Sequence, residues 1–341
     1  MRAILVANAT AKSGKASKRI DATLARMRAR DWNVEFVPTE PDGATVATLH
    51  DRIRGEPYDA VVYMGGDGTF REVAKAILAA GGTHHMGMLP SGTANDQGKS
   101  FGVSHLEADV EENLRIIEQD HVIELDVGTI QRLDDNGEVT HEDRFFDSAG
   151  WGLQADILWA RNRDRELIEN IPILKDVYRD HAVYAGAALE RTINSWFGQV
   201  EFSARVVADG GLHTYQALSD LIVNATPIYA GSWVPDRHGR PDDGFFELIP
   251  MAGQLDTLSK LVLDHAAVPA IKKALESIGV QTAQSFSAAR FELELERPGD
   301  REIKAQIDGE EWVAGDRYRV QVHRRQLKLI VPQYWEPPWD R

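Results

Sequence analysis

Residues 61 to 78 read VVYMGGDGTFREVAKAIL, and the change of period inside them limits the folds open to this chain. Val61 to Met64 form an apolar run of strand length. Phe70, Val73, Ala74, Ile77 and Leu78 then fall at i, i+3, i+4, i+7 and i+8, one face of an amphipathic helix. Five residues, Gly65 to Thr69, make the switch, and Gly81-Gly82 closes the helix. The alternation recurs. RAILVA (2–7) precedes Ile20, Leu24 and Met27 at helical spacing; WNVEFV (32–37) precedes Val46, Leu49 and Ile53. DAVVYM (59–64) and MGML (86–89) supply a third and a fourth strand. Repeated strand–helix units of this kind require a parallel sheet covered on both faces.

Near residue 120 the pattern becomes one of strands. HVIELDVGTI, RFFDSAG, VEFSARVV, LSDLIVNAT, FFELIP, ARFELELE, EIKAQID, RYRVQV and QLKLIV read as strands; in ARFELELE, Phe291, Leu293 and Leu295 alternate with glutamates. Helical stretches at about 153–196 and 256–278 interrupt them. The 341 residues exceed one usual domain. The fold expected is an α/β nucleotide-binding domain with a parallel sheet (1–122), then a mainly antiparallel, β-rich domain (123–331) and a proline-rich tail (332–341), with the active site in the cleft between domains. A net charge of −15 speaks against nucleic acid as a partner. No apolar window reaches membrane-span length, the first ten residues are a poor signal peptide, and the absence of cysteine excludes disulfides and thiolate metal sites. A cytoplasmic location is expected, with peripheral membrane contact left open.

The glycine turn sits where open α/β folds bind ligands, at the carboxyl end of a parallel strand. Without Cβ atoms its backbone can approach a phosphate, and the next helix adds the positive end of its dipole. Asp67 is the odd member, since a carboxylate repels phosphate unless it meets a metal-bound water, a ribose hydroxyl or an orienting network; a plain helix cap is the alternative. A second loop, LPSGTANDQGKSFG (89–102), follows the fourth strand, and NATAKSGKA (8–16) follows the first. None is a Walker A loop. Three such loops on successive strand ends favour a nucleotide site over coincidental turns.

GGDGT (65–69) taken with LPSGTAND (89–96) resembles the catalytic domain of diacylglycerol kinases, a family that includes bacterial lipid kinases and sphingosine and ceramide kinases and is distantly related to NAD kinases. The likeness continues through Asp126-Val127-Gly128, SAGWGLQAD (148–156), VNATPIYAGSWVPD (223–236), PDDGFFELI (241–249) and QIDGEEW (306–312). It implies ATP and Mg²⁺ as cofactors, with Gly65, Gly66, Asp67, Gly68 and Thr69 on the phosphates and Phe70 and Arg71 extending the site. It also implies Asn8, Gly92 and Thr93 as further nucleotide contacts and Thr39 as a contact on the adenosine side. Asn95 and Asp96 would order water and Mg²⁺, and Asp126 would join Asp67 and Asp96 in an aspartate–water–metal network. A structural Mg²⁺ would be held by the Asp243 carboxylate and the backbone carbonyls of Arg240 and Phe245. In IDGEE, Asp308 would be the general base, with Glu310 the competing assignment in the same turn.

There are departures from the family pattern. Asn8-Ala9 stands where Asn-Pro is usual, Ser91 replaces a larger residue, and the long charged stretch 153–196 falls where the acceptor would lie. The resemblance implies an ATP- and Mg²⁺-dependent kinase acting on a diacylglycerol-like or other lipid alcohol, reached by transient membrane contact, with a homodimer left open. The alternatives are an NAD kinase or non-lipid alcohol kinase, or a nucleotide-binding regulator without turnover. Elsewhere, His84-His85 is read as surface or capping residues, His181 and Tyr184 as core, and the acidic run at 107–113 as a solvated helix face.

Overall fold

The computed structural model describes residues 1–9, 15–156, 158–159, 201–228, 236, 239–252, 285–299 and 303–336. The stretch about 256–278, most of 153–196, Ser13-Gly14, and His181 with Tyr184 lie outside those residues.

The first third is built as its periodicity requires. Strands β1 (Arg2–Ala7), β2 (Asn33–Pro38), β3 (Ala60–Gly65) and β4 (His85–Pro90) alternate with helices α1 (Lys15–Ala29), α2 (Ala44–Ile53) and α3 (Asp67–Ala79). The strands are parallel in the order β4-β3-β1-β2. Successive residues of β1 enter opposite cores. Ile4 and Val6 pack with α2 and α3 through Leu49, Ile53, Phe70 and Ile77. Leu5 and Ala7 pack with α1 through Ile20 and Leu24. Each such buried aliphatic side chain contributes about 1.5–3 kcal/mol, so the two apolar stripes fix which helix covers which face.

Two further helices follow, α4 (Asp96–Ser100) and α5 (Val110–Gln119). The acidic run 107–113 is the entry to α5, and it is less solvated than expected: Val110, Asn113 and Leu114 are buried, while Glu111 pairs with Arg26 and Arg30 of α1. His84 is also buried, its Nε2 against the Glu56 carbonyl; His85 meets Asp120 at the surface.

The remaining described elements are strands: β5 (Val122–Leu133), β6 (Val139–Phe145), β7 (Ser148–Gly152), β8 (Phe202–Ala208), β9 (Gly211–Asn224), β10 (Phe246–Ala252), β11 (Phe286–Ala288), β12 (Arg290–Glu296), β13 (Ala305–Ile307), β14 (Glu310–Trp312) and β15 (Arg317–Ile330). All pairings among them are antiparallel, around a core that includes Trp151, Phe202, Phe246, Phe291 and Tyr318.

Two readings of the sequence are corrected here. RFFDSAG is not one strand: the chain leaves β6 at Phe145 and re-enters β7 at Ser148, which turns the Phe146 and Asp147 N–H groups to Asp308. RYRVQV and QLKLIV are one strand, β15, with an irregularity between His323 and Leu327 and Arg325 at φ +53°. Before that point β15 pairs with β12; after it, Lys328 and Leu329 pair in parallel with His85 and Met86 of β4. Through this strand the parallel and antiparallel regions form one continuous sheet. In the tail, Trp335 stacks near Phe101 and donates from Nε1 to the Ser100 carbonyl, whereas Tyr334 is exposed.

Candidate active site

The turn after β3 and the loop after β4 are pressed together. The Ser91 N–H donates to the Gly65 carbonyl at 2.7 Å. A Cβ on Gly92 would lie 2.4 Å from the Gly66 Cα, and one on Gly65 would lie 2.4 Å from Thr69 Oγ1. Glycine at 92 is therefore required for backbone to pass backbone, while a Cβ on Gly66 would be tight at 3.2 Å from the Gly92 Cα. Asn95 holds the second loop, accepting the Gly92 N–H at 2.7 Å and donating to the Gly92 carbonyl at 3.1 Å, in a left-handed conformation at φ +55°. Its amide is spent on the loop. Thr93 is exposed.

Asp67 caps no turn of its own helix: the N-cap position of α3 is Gly66, without a side-chain cap. Its carboxylate instead accepts the Gln97 N–H, 3.2 Å away in the first turn of α4. Burial raises its proton affinity and backbone N–H groups around α4 oppose the rise.

A cavity of about 380 Å³ opens at the carboxyl ends of β1 and β2 and the start of α3, lined by Asn8, Thr39, Glu40, Gly68, Thr69, Arg71, Glu72, Lys75 and Glu310 among others. It lies beside the switch point of the parallel sheet, where β1 is flanked by β2 on one side and β3 on the other. Glu310 arrives from the far end of the sequence, and its Oε1 would be 3.1 Å from a Cβ on Gly68.

Arg71 ties these parts together. Its Nη2 meets Asp143 of β6 at 2.7 Å, its Nη1 meets Glu310 at 2.8 Å, and its Nε stands 3.4 Å from Asp308 Oδ2. Lys75, one turn further along α3, shares Asp143.

Asp308 and Gly309 are the two turn residues between β13 and β14, at φ +51° and +75°, as a tight hairpin demands. The two carboxylates are thus not neighbours on an extended strand, as i and i+2 spacing would place them; Arg71 is what they have in common. Asp308 Oδ1 accepts three backbone N–H groups, from Phe146 (2.9 Å), Asp147 (2.8 Å) and Ser148 (3.3 Å). Its Oδ2 is buried without a hydrogen-bond partner. Burial pushes the carboxyl up to about 6, against the Arg71 charge and the three N–H groups, which pull it down.

Asp147 was missed from sequence. It is fully enclosed, accepts the Thr226 hydroxyl, and is held well above the usual carboxyl range by burial, then by Asp96, with Asp308 and Asp67 adding to the rise. Asp126, expected in a network with Asp67 and Asp96, is held by two backbone N–H groups. It accepts the Arg325 N–H (2.7 Å) where β15 is irregular, and the Gly244 N–H from the loop before β10. Lys75 was legible in principle, being four residues from Arg71 on one helix face. Asp143 and Asp147 carried no local signal, because only tertiary pairing brings β6 to α3.

In the 240–245 loop, Asp243 Oδ1 accepts the Phe245 N–H at 3.0 Å, and burial followed by the Asp242 charge raises its proton affinity. The Arg240 side chain lies 3.8 Å from Asp242. Among the described residues, no three His, Cys, Asp or Glu side chains gather closely enough to hold a metal ion.

Residues 2–130 match the family model of the diacylglycerol kinase catalytic domain. That stretch is similar to the family's catalytic domain. The diacylglycerol kinase of Staphylococcus aureus (strain bovine RF122 / ET3-1) is 29% identical over 128 residues, 37% of this chain and 39% of that protein. The diacylglycerol kinase of Staphylococcus haemolyticus (strain JCSC1435) is 28% identical over 125 residues, 36% of each. The matches therefore span about two fifths of those relatives. Beyond the diacylglycerol kinase catalytic domain the likeness is one of fold. The crystal structure of a diacylglycerol kinase from Bacillus anthracis str. Sterne superposes with a TM-score of 0.64, covering 97% of both chains at 15% identity. No described helix is long and apolar enough to cross a membrane.

Proposed function

We propose that this protein is an ATP- and Mg²⁺-dependent lipid kinase that phosphorylates the hydroxyl of a diacylglycerol-like alcohol. The observation that carries the reading is the convergence on one cavity of the ends of β1 and β2 and the start of α3 with Arg71 and Glu310, beside a buried carboxylate with one oxygen free of hydrogen bonds. In this reading residues 1–122 bind nucleotide, and 123–331 supply the base and the acceptor side, with contact at the membrane surface.

The residues have separable tasks. Gly65 to Thr69, with Arg71 and Lys75, present N–H groups and positive charge to the triphosphate. Asn8 and Thr39 line the cavity's far wall. When bound, Mg²⁺ would neutralise charge on the phosphates; Asp67 and Asp96 would order its waters, and Asp243 with the carbonyls of Arg240 and Phe245 would hold a structural ion. The acceptor hydroxyl oxygen forms a bond to the γ-phosphorus as the bond from that phosphorus to the bridging oxygen breaks, leaving ADP. The hydroxyl proton passes to Asp308 Oδ2. The three N–H groups on Oδ1 keep that carboxylate aimed, and a proton affinity near 6 leaves it ionised yet basic at neutral pH.

The test is transfer of label from γ-labelled ATP to a panel of diacylglycerol, other lipid alcohols, sphingoid bases and NAD, with Mg²⁺ present. Lipid labelling that disappears in Asp308→Asn supports the reading. Labelling of NAD alone, or ATP binding with no labelled product, overturns it.

A further inference from the structure

Strands β15, β5 and β6 form a three-stranded ribbon whose inner face is core, with Ile130, Phe145, Tyr318 and Val320 fully buried. The alternate residues point outward and lie in register. Arg319 pairs across Gln131 with Glu142, and Gln321 pairs across Thr129 with Arg144. His323 sits one step on, beside Val127. The end of α3, at Leu78, and Gln326 wall this face, leaving a groove of about 220 Å³, separate from the larger cavity.

The charges in the groove are poorly matched from within. Glu142 accepts from the Gln131 amide, and the same amide accepts from Arg319 Nη1 at 3.3 Å. The Arg319 Nε–H is buried without an acceptor; the Glu292 carboxylate stands 3.8 Å away, beyond hydrogen-bond reach, and is engaged by Arg290. No described carboxylate pairs with the Arg144 guanidinium. His323 is pushed below its ordinary value by burial and then by Arg144, with Glu142 opposing. A protein of net charge −15 has set two guanidinium groups in one polar recess and left a buried donor unanswered. Buried donors without acceptors are rare because they cost free energy, and arginine forks suit phosphate oxygens in particular.

We propose that this groove is a second ligand site, taking a phosphate group held by Arg144 and Arg319 with Thr129 and Gln321 as neutral donors. At about 220 Å³ it fits a phosphate or a phosphate-monoester headgroup rather than a nucleotide. The same chemistry is offered by free phosphate and by a phospholipid headgroup.

The full chain is titrated calorimetrically with inorganic phosphate, and separately floated with phosphatidylcholine vesicles with and without dioleoylphosphatidate. Arg144→Ser, an exposed position, is the main variant, with Gln321→Glu as a second that adds repulsion without removing a buried group. Arg71→Met controls for phosphate entering the larger cavity. The expected result is saturable binding that weakens about tenfold or more in both groove variants and persists in Arg71→Met. Response to phosphate alone identifies a soluble ligand, and response to phosphatidate vesicles alone a headgroup. Absence of saturable binding in both arms, or binding lost in Arg71→Met and kept in Arg144→Ser, overturns the proposal.

Discussion

The Arg71 guanidinium stands 3.4 Å from Asp308 Oδ2, the one oxygen of that carboxyl with no hydrogen bond. One residue lies in the second turn of α3; the other lies 237 positions later in a hairpin turn (308 less 71). The contact joins α3 to the proposed proton acceptor, and it lowers that acceptor's proton affinity against the larger effect of burial.

Replacing Arg71 by Met should therefore change a pH profile as well as a rate. Asp308 acts as base when ionised, so kcat/KM should climb as pH rises through about 6. Arg71 stabilises the ionised form; without it the carboxyl binds its proton more tightly, and the climb should move to higher pH. An opposite charge this close is worth about one to three pH units. An unmoved midpoint would remove Asp308 as the titrating base, whatever happened to the maximal rate.

Asp308→Asn should lower kcat by roughly 10²–10⁴-fold with little change in ATP affinity, since the amide oxygen can still accept the three N–H groups. Glu310→Gln should act mainly on KM for ATP, because Glu310 is exposed at the cavity mouth and holds Arg71 from outside. Steady-state kinetics on both variants decide. A larger loss of kcat in Glu310→Gln would transfer the role of base to Glu310.

Gly92→Ala should harm nucleotide binding more than Gly66→Ala. A methyl on Gly92 meets the Gly66 Cα at 2.4 Å, and one on Gly66 meets the Gly92 Cα at 3.2 Å. Backbone must move in the first case, at about 1–3 kcal/mol of strain; a few tenths of an ångström suffice in the second. Calorimetric ATP titration of both variants, with far-UV dichroism to confirm folding, is the check. Equal affinities would show that the two loops do not need their present contact.

Asp126→Ala should act on stability. It leaves the N–H groups of Arg325 and Gly244 unanswered, at about 1–3 kcal/mol each, and loosens β15 where it passes from β12 to β4. Thermal melts should show a lowered Tm, with Asp126→Asn milder because one acceptor remains. An unchanged Tm with a large rise in KM for ATP would return Asp126 to the nucleotide network that the family resemblance implied.

The periodicity of residues 2–89 determined the parallel sheet and the helices on its two faces, because burial of a stripe or an alternating face is a local property of sequence. GGDGT and LPSGTAND were legible for a similar reason, since glycine and small polar residues at strand ends leave few uses other than a turn or a ligand loop. What tertiary structure alone decided is pairing over distance. β15 crosses from the antiparallel to the parallel part of the sheet, a continuity hidden by Arg324, Arg325 and Gln326, which break the apolar alternation and made one strand read as two. Asp147 stands beside Asp308 because the chain turns between β6 and β7, and no spacing in the sequence encodes that turn. Asp143 reaches Arg71 and Lys75 only through the β5–β6 hairpin. A charged side chain carries no period; its partner is chosen by which strand edges the buried apolar residues have already brought together.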